Sequence, residues 1–447
     1  MKNLYIKNFG CQMNAYDAGR MEDLLHGSHG LSPVESPQEA DLIILNTCHI
    51  REKAEEKIFS ELGRLRKVLR QQAADRRVVF AVGGCVGQAE GAALFKRAPF
   101  VDLVFGPQNY HHLPQMLDRV LAGGRQLHDV EMPTESKFDA LPQASHSNRS
   151  ASVPVQEGCD RFCTYCVVPF TRGREWSRPV EEILSEVTNL AEKGAVEIEL
   201  LGQNVNAYQG RDQEGVEHDL ALLIRQTALI PGIRRIRFVT SHPADMHDDL
   251  VSVFAEVPEL NPYMHLPIQS GSNTILAAME RGHTVEEYLV WIERLRSACP
   301  HISLASDFIV GFPGERESDF QETLNLLEQV RYDHAYSFLF SPRPGTLAAE
   351  MEGAVPREVG EARLARLQER INAIQWEQNL AQVGRVESVL VEGPSKKGQG
   401  MMAGRTAGFR RINFPASPES AGSLIDVQVT EARPNSLIGR VIPVNAV

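Results

Sequence analysis

Residues 157–166 read EGCDRFCTYC and place Cys159, Cys163 and Cys166 in a C-x3-C-x2-C spacing. This loop directly follows residues 153–156, a short segment that is predicted to be a strand. Three thiolates on one short loop can bind a single iron–sulfur cluster. Because three protein ligands leave one iron of a four-iron cubane open, the spacing indicates a cluster that takes part in chemistry.

Two other interpretations of these cysteines are a zinc site and a set of unrelated buried thiols. Zinc usually takes four ligands, often from C-x2-C pairs, and the sequence has no fourth Cys or His close to this loop. The spacing and the predicted position after a strand together favour the iron–sulfur cluster.

Predicted strands and helices alternate from residue 153 onward. The strands are expected at 153–156, 196–201, 235–239, 263–266, 302–310 and 335–340. Helical spacing is found between them, for example at 180–193 and 285–298, and a charged helix at 356–380 closes the region. Six such units predict a partial (β/α)6 barrel over residues 145–377, in which functional residues collect at the C-terminal ends of the strands.

The first 120 residues contain a second set of cysteines, Cys11, Cys48 and Cys85, which are 37 residues apart. The hydrophobic pattern predicts strands at 4–8, 41–46, 78–82 and 101–105 and helices at 17–25 and 51–72. This alternation indicates a flavodoxin-like parallel sheet, in which the C-terminal ends of the strands share one edge. Each cysteine follows one strand, so the pattern indicates a second three-thiolate site, with three buried core thiols as the alternative.

The remaining segments are a linker and a small C-terminal domain. A polar, Ser- and Pro-rich stretch at 129–152 indicates a linker, which we assign to residues 121–144. Residues 379–442 contain short alternating strands with Gly and Pro turns, which predicts an OB-like β-barrel. Residues 379–447 carry a charge of +3 in a chain of net charge −12, which favours contact with a polyanion over an ordinary solvated surface.

Composition narrows the class of protein. The 447 residues are 43% hydrophobic and 23% charged, which is typical of a globular protein with sizeable cores. No run of 18 apolar residues and no signal-peptide-like segment is found, so we expect a cytoplasmic protein without membrane contact. An odd total of seven cysteines argues against a disulfide framework, and the seventh, Cys299, is interpreted as structural.

Longer motifs carry a family resemblance. The string GCDRFCTYCVVPFTRGREWSRP at 158–179, followed in order by LGQNVNAY, TSHP, HLPIQSGS, DFIVGFPGE and FSPRPGT, resembles the methylthiotransferases of the radical-SAM superfamily. KNFGCQMN, LNTCHIREKAEEK and GGCVGQAEG resemble the family's auxiliary-cluster motifs, with Gly87 in place of the usual alanine. The C-terminal barrel resembles a TRAM domain, an RNA-binding module, although GRTAGFRRINF departs from the family's usual centre.

The resemblance implies a transferase that adds a methylthio group to carbon 2 of adenosine 37 in tRNA. That carbon has neither an acidic proton nor a leaving group, so the reaction requires a radical. The implied cofactors are two [4Fe–4S] clusters and two molecules of S-adenosylmethionine (SAM) per turnover. In this family the cluster on the C-x3-C-x2-C loop cleaves SAM, and the N-terminal cluster carries the sulfur.

Three branches of the family compete as the substrate class. FSPRPGT resembles the branch that acts on isopentenyl (dimethylallyl) adenosine, and branches that act on threonylcarbamoyl-adenosine or on a ribosomal-protein aspartate are the alternatives. An iron–sulfur RNA-binding protein without catalysis is a different class, which the open cluster argues against. The expected partners are tRNA, an electron-donor protein and an iron–sulfur assembly or carrier protein, with the chain itself a monomer.

The resemblance also suggests which other residues bind the cofactor and the RNA. The candidate SAM-binding residues, most of them near predicted strand ends, are Tyr165, Gln203, Asn204, Ser241, Gln269, Asp307 and Gly311. The candidate RNA-binding residues, chosen as cations or aromatics beside the cluster loop and in the C-terminal barrel, are Arg172, Arg174, Trp176, Arg178, Arg410 and Arg411.

Overall fold

The computed structural model describes residues 1–48, 54–72, 77–132, 137–142, 147–396, 398 and 400–442. These residues form a parallel N-terminal sheet, a partial barrel and a closed C-terminal β-barrel, as the sequence predicts. The start of the predicted helix at 51–72 and parts of the predicted linker lie outside the described residues. Within the described ranges, no helix has the length and apolar character needed to cross a membrane.

The N-terminal domain is a six-stranded parallel sheet in the order β2-β1-β3-β4-β5-β6. Its strands are β1 Asn3–Phe9, β2 Ser32–Pro33, β3 Leu42–Thr47, β4 Val79–Gly84, β5 Leu103–Phe105 and β6 Leu127–Asp129. Its helices are α1 Gln12–His29, α2 Ala54–Gln72, α3 Cys85–Glu90, α4 Leu94–Arg97 and α5 Leu113–Leu121. Strands β3 and β4 are buried along their whole length, which explains their continuous apolar sequences.

Two short strands of this sheet are not predicted from the sequence. Strand β2 has only two residues, and β6 reads Leu-His-Asp, which carries no apolar run. Strand β6 pairs with β5, so the sheet continues past residue 120 into the segment that the sequence assigns to the linker. Pairing with an existing edge strand stabilises such short segments without any strong local preference.

The central domain is a partial barrel with six parallel strands. The six parallel strands are β7 Ser150–Pro154, β10 Glu197–Leu201, β13 Arg235–Phe238, β14 Tyr263–His265, β15 Ser303–Val310 and β16 His334–Leu339. Two short antiparallel pairs add β8 Gln156–Glu157 with β9 Trp176–Ser177, and β11 Gln209–Arg211 with β12 Glu217–Asp219. Its helices are α6 Val168–Thr171, α7 Val180–Glu192, α8 Leu220–Ala228, α9 Asp248–Glu256, α10 Asn273–Ala278, α11 Val285–Ala298, α12 Glu317–Val330 and α13 Arg357–Leu380. The ladders β7-β10-β13 and β14-β15-β16 meet through a bridge between Ile236 and Leu260.

Alternation along the strands makes the inside of this barrel polar. Ile198 and Leu200 of β10 belong to the apolar core beneath the helices, whereas Glu197 and Glu199 occupy the opposite face. An Nη1 atom of Arg237 lies 2.8 Å from Oε1 of Glu199, so one charge neutralises the other inside the barrel. The interior therefore differs from a (β/α) barrel that is filled with branched apolar side chains.

The C-terminal domain is a closed barrel with strand order β17-β18-β19-β21-β20. Its strands are β17 Val386–Pro394, β18 Met401–Thr406, β19 Arg411–Pro415, β20 Leu424–Arg433 and β21 Ser436–Val441. A small apolar core, which includes Val389, Met402, Phe414 and Val427, fills it. Closure removes the exposed edges that an open sheet of this size would present.

The turn between β18 and β19 packs against the N-terminal ends of the central barrel strands. The ring of Phe409 lies 5.0 Å from the ring of Tyr263, at the start of β14. Arg410 is buried, donates to Oγ of Ser303 at 3.0 Å and to Oδ1 of Asn379 at 3.3 Å, and pairs with Asp333. The interpretation of Arg410 as an RNA contact is therefore corrected, because its guanidinium is used to join two domains.

Replacing Arg410 with alanine should lower the free energy of unfolding by about 3 kcal/mol, because the carboxylate of Asp333 loses its cation in a buried interface and keeps only the N–H of Leu304. The neighbouring Arg411 has a half-exposed side chain, so Arg411→Ala should change it by only about 0.5 kcal/mol. Urea denaturation followed by tryptophan fluorescence measures both variants. Equal effects of the two substitutions would contradict the assigned interdomain contact.

Candidate active site

The C-x3-C-x2-C loop lies after β8, at the C-terminal end of the central barrel. Cys163 is buried, and Cys159 and Cys166 are partly exposed. The loop turns through Gly158 at φ +73° and Phe162 at φ +49°, and the N–H of Cys166 donates to the carbonyl of Cys163 at 2.9 Å. These left-handed residues fold the loop back on itself, so that its three thiols gather over the barrel.

Two glutamine side chains hold this loop against the end of β10. The amide of Gln156, which is buried, donates to the carbonyl of Gly158 at 2.7 Å. Its Oε1 accepts from the N–H groups of Gln203 at 2.9 Å and of Asn204 at 3.1 Å. Oε1 of Gln203 in turn accepts from the N–H of Gly158 at 2.6 Å. Gln156 was not singled out from the sequence, although a polar residue after an apolar strand is a signal that could have found it.

Cys163 is contacted by two buried basic side chains. Arg281 donates from Nη1 to Sγ of Cys163 at 3.5 Å and from Nη2 to the carbonyl of Pro267 at 2.6 Å. Nε2 of His242 lies 3.9 Å from the same sulfur. Burial, together with the Arg281 charge, holds the pKa of His242 well below its usual range, so its imidazole is neutral. Sequence reasoning missed Arg281, which lies outside the longer family motifs.

The candidate SAM-binding residues collect mainly on the same face of the barrel. Gln203 and Asn204 follow β10, Ser241 follows β13, Gln269 follows β14, and Gly311 follows β15. Among the described residues, Oδ1 of Asn204 and Oγ of Ser241 are buried without a hydrogen-bond partner. Because buried polar atoms normally have partners, these two atoms fit a polar ligand at this face.

The other two candidates do not follow a parallel barrel strand: one lies within a strand and the other lies on the cysteine loop. Asp307 is inside β15 rather than at its end, and its Oδ1 lies 3.3 Å from Nε2 of His265. Tyr165 packs against the apolar group that includes Phe312 and Met279. Tyr165 therefore packs the cysteine loop against an apolar cluster, while Asp307 faces the barrel interior.

The second cysteine trio lies at the C-terminal ends of β1, β3 and β4. These three strands are neighbours in the sheet, so the parallel register brings Cys11, Cys48 and Cys85 to one edge. Cys48 and Cys85 are buried, whereas Cys11 is exposed. A hydrogen bond with Cys48, assisted by the charge of Arg172, lowers the pKa of the Cys11 thiol to about 6. Burial raises the pKa of the Cys85 thiol, so of these two thiols only Cys11 is shifted toward the thiolate, which is the form that binds iron.

The chemistry of the ligands indicates which metal group the two trios fit. Each trio offers three cysteine thiols, and iron–sulfur clusters are held mainly by cysteine thiolates. Three thiols would leave one iron of a four-iron cluster without a protein ligand. Elsewhere in the described ranges, Asp219, His247 and Asp249 lie close enough together to hold a single metal ion.

The basic segment after the loop does not form one RNA-facing surface. Arg172 and Arg178 are buried, Arg172 against Cys85 and Arg178 in an ion pair with Glu186 at 2.7 Å. Their expected role as RNA contacts is corrected, because neither guanidinium reaches solvent. Arg174 and Trp176 are exposed, and the indole of Trp176 stacks on Phe138 at 5.8 Å.

Family models match the three domains. The radical SAM superfamily matches residues 153–327, the TRAM domain matches residues 380–442, and the uncharacterized protein family UPF0004 matches residues 3–106.

Two relatives match the chain along nearly its whole length. The chain is 59% identical over 442 residues to the tRNA-2-methylthio-N(6)-dimethylallyladenosine synthase of Magnetococcus marinus, covering 99% of this chain and 100% of that protein. It is 50% identical over 439 residues to the protein of the same name from Alkalilimnicola ehrlichii, covering 98% and 97% of the two chains.

Solved structures share the fold at low sequence identity. The radical S-adenosylmethionine methyltransferase TsrM from Kitasatospora setae superimposes with a TM-score of 0.57 at 13% identity, over 78% of this chain and 75% of that chain. The cobalamin-dependent S-adenosylmethionine radical enzyme OxsB superimposes with a TM-score of 0.53 at 15% identity, over 83% of this chain and 56% of that chain. These likenesses support the fold alone.

Gly158 provides a test of the loop geometry. An added Cβ at Gly158 would overlap the backbone carbonyl of Arg174, whereas at Gly215, with φ +82°, it would meet nothing within 4 Å. Both alanine variants carry the cost of a left-handed residue, about 1 kcal/mol. The free energy of unfolding should therefore fall by about 2 kcal/mol more in Gly158→Ala than in Gly215→Ala, because neighbouring backbone must move only around residue 158. Urea unfolding of the metal-free chain measures the difference, and equal losses would show that the loop adapts.

Proposed function

The chain belongs to the tRNA-2-methylthio-N(6)-dimethylallyladenosine synthases, a family of radical-SAM methylthiotransferases, and we infer from this membership that it carries out the family's reaction. The enzyme is a transferase that adds sulfur and a methyl group at carbon 2 of N6-dimethylallyl adenosine 37 in tRNA. The observation that carries the assignment is the pair of three-thiol sites, each at the C-terminal edge of a parallel sheet. Membership favours the dimethylallyl branch over the threonylcarbamoyl and ribosomal-protein branches.

We assign one [4Fe–4S] cluster to each cysteine trio. Cys159, Cys163 and Cys166 would hold the cluster whose open iron takes SAM, and the N-terminal trio, Cys11, Cys48 and Cys85, would hold the auxiliary cluster. When bound, these groups supply the electron for reductive cleavage of SAM and the sulfur that is transferred. A second SAM is assigned to methylation, which accounts for two molecules per turnover.

The protein's own residues position these groups. Arg281 offers N–H donors and a positive charge beside Cys163, which would stabilise a cluster bound through that sulfur. Neutral His242 shields the same sulfur from water without adding charge. Oγ of Ser241 and Oδ1 of Asn204 are free to receive polar groups of SAM. Gln156 fixes the position of the cysteine loop on the barrel, because its side-chain amide bonds both to Gly158 on the loop and to Gln203 after β10.

The last barrel strand offers an apolar surface for the dimethylallyl group. Tyr336 and Phe338 of β16 are exposed large side chains, and they pair in register with Asp307 and Ile309 of β15. Since Asp307 bonds to His265 within the barrel, these side chains share the interior face. We assign Phe338 and Ile309 to the wall that contacts the dimethylallyl group of the substrate.

The remaining partners follow from the substrate. We assign tRNA binding to the exposed Arg174 and Trp176 beside the loop and to Arg411 on the C-terminal barrel. The reaction further needs an electron-donor protein and an iron–sulfur carrier that restores the auxiliary sulfur. We place this monomeric enzyme in the cytoplasm, where tRNA is modified.

Iron content and product analysis test the two assignments together. Anaerobic reconstitution of the wild-type chain should give about eight irons, and about four after Cys11, Cys48 and Cys85 are all replaced by alanine. The triple variant should still release 5′-deoxyadenosine from SAM but form no methylthio-nucleoside, because only the sulfur carrier is lost. The matched triple variant Cys159→Ala, Cys163→Ala and Cys166→Ala should lose both products. Wild-type loading that saturates near four irons would contradict the proposal.

Phe338→Ala tests the assigned dimethylallyl contact. Competing tRNAs with and without the dimethylallyl group should show a strong wild-type preference for the modified substrate in kcat/KM. The variant should narrow that preference by about tenfold, because truncation removes apolar burial that only the dimethylallyl group uses. Leu229→Ala, at an exposed site on the end of α8, is the control and should keep the preference. An unchanged preference in Phe338→Ala would show that Phe338 does not contact the dimethylallyl group.

A further inference from the structure

We propose that Arg172, a residue of the central barrel domain, is a positioning residue for the N-terminal cysteine trio and fixes how the two cysteine sites face each other. Its Nη2 bonds to Asp17 on α1, the helix that begins directly after Cys11, and its charge acts on both Cys85 and Cys11. The inference rests on the proposed assignment of Cys11, Cys48 and Cys85 to an auxiliary cluster.

Arg172 belongs to a buried group of four charges, Asp17, Lys137, Glu157 and Arg172, here named the charge quartet. Arg172 donates to Oδ2 of Asp17 and to Oε1 of Glu157, both at 3.0 Å. Nζ of Lys137 donates to Oε1 of Glu157 at 2.7 Å and to Oδ1 of Asp17 at 3.3 Å. None of the four side chains is more than 4% exposed, so the two cations and two carboxylates neutralise one another away from water.

Members of the charge quartet lie close in sequence to both cysteine sites. Asp17 lies on α1, six residues after Cys11, and Glu157 lies two residues before Cys159. Arg172 follows the last cysteine of the loop by six residues, and Lys137 comes from the segment between the domains. Each cysteine site therefore has a quartet member within a few residues. Movement of one site relative to the other would break ion pairs of the quartet.

The energetic cost of the quartet favours a positional role. Taking four charges out of water is costly, and a buried ion pair often stabilises a protein no more than apolar residues of similar volume. Such a group is instead well suited to holding one geometry, because a displaced charge is left uncompensated. A guanidinium has five N–H donors in a rigid fork, so Arg172 can bind both carboxylates and still face sulfur.

Arg178 shows that burial alone does not give this role. It lies six residues after Arg172 and is also buried. It donates to the carbonyl of Pro154 at 2.8 Å and to Oε2 of Glu186 at 2.7 Å, and its guanidinium lies 4.3 Å from the ring centre of Phe138. No cysteine is among these partners, so Arg178→Met is a matched control for the loss of a buried, paired guanidinium.

The proposal predicts effects at the auxiliary site that ordinary destabilisation would not cause. Hydrogen bonds to cluster sulfurs and nearby positive charge favour the reduced state. Loss of Arg172 should therefore shift the midpoint potential of the auxiliary cluster to more negative values. It should also lower the amount of methylthio-nucleoside formed per 5′-deoxyadenosine, because SAM cleavage continues while the sulfur is misplaced.

The experiment uses the full-length chain, reconstituted anaerobically, as wild type, Arg172→Met, Arg172→Lys and Arg178→Met. Product ratios are measured in these four proteins. Potentials are measured by EPR-monitored titration after Cys159, Cys163 and Cys166 are replaced by alanine, so that only the auxiliary cluster is observed. Arg172→Met should show the negative shift and a product ratio at least about tenfold lower, the usual scale for loss of a residue that supports a metal ligand.

Arg172→Lys separates charge from fork geometry. It should keep most of the wild-type midpoint potential, since the charge remains. It should recover only part of the product ratio, since an ammonium lacks the planar fork whose separate nitrogens hold the two carboxylates in fixed directions. Arg178→Met should keep the wild-type potential and ratio.

Several outcomes would overturn the inference. Wild-type values for Arg172→Met, or an equal shift in Arg178→Met, would leave Arg172 without a specific role. Equal loss of both clusters in the two Arg172 variants would assign it to folding alone. A wild-type chain that binds only about four irons would instead contradict the proposed function, and this inference with it.

Discussion

Parallel strand pairing is the constraint on which the two cysteine sites depend. In a parallel sheet every strand ends at the same edge, so residues far apart in sequence meet there. Cys11, Cys48 and Cys85 are neighbours because β1, β3 and β4 are paired in register. The central barrel applies the same rule to its own loop and to the residues after β10, β13 and β14.

Buried charged side chains also connect the central barrel to the N-terminal domain. Glu199 in the barrel interior pairs with Arg237, and its carboxylate also accepts from Nε2 of Gln12 at 3.4 Å. Gln12 is the residue after Cys11, so the barrel interior and the N-terminal site share a polar contact. Burial raises the pKa of Glu199, whereas the charge of Arg237 opposes that rise. This contact and the charge quartet therefore join the N-terminal domain to the central barrel through polar side chains.

The C-terminal barrel is joined to the rest by similar means. Arg235, at the start of β13, donates to the carbonyl of Ser388 at 2.5 Å, and the guanidinium of Arg237 lies 4.5 Å from the ring centre of Phe409. The C-terminal domain therefore packs against the N-terminal end of the central barrel, opposite the cysteine loop. An RNA bound to its exposed surface would be held at a fixed distance from the reacting site.

Local patterns in the sequence determined the three-domain order, most strands and both cysteine trios, because spacing and hydrophobic period are properties of neighbouring residues. Only the tertiary structure decided the partners of the charges. Lys137 and Asp17 are 120 residues apart, and Arg410 and Ser303 are 107 apart. A basic residue looks the same in sequence whether it faces RNA or a buried carboxylate, as Arg172, Arg178 and Arg410 show. Their environments are set by long-range packing, which no local pattern records.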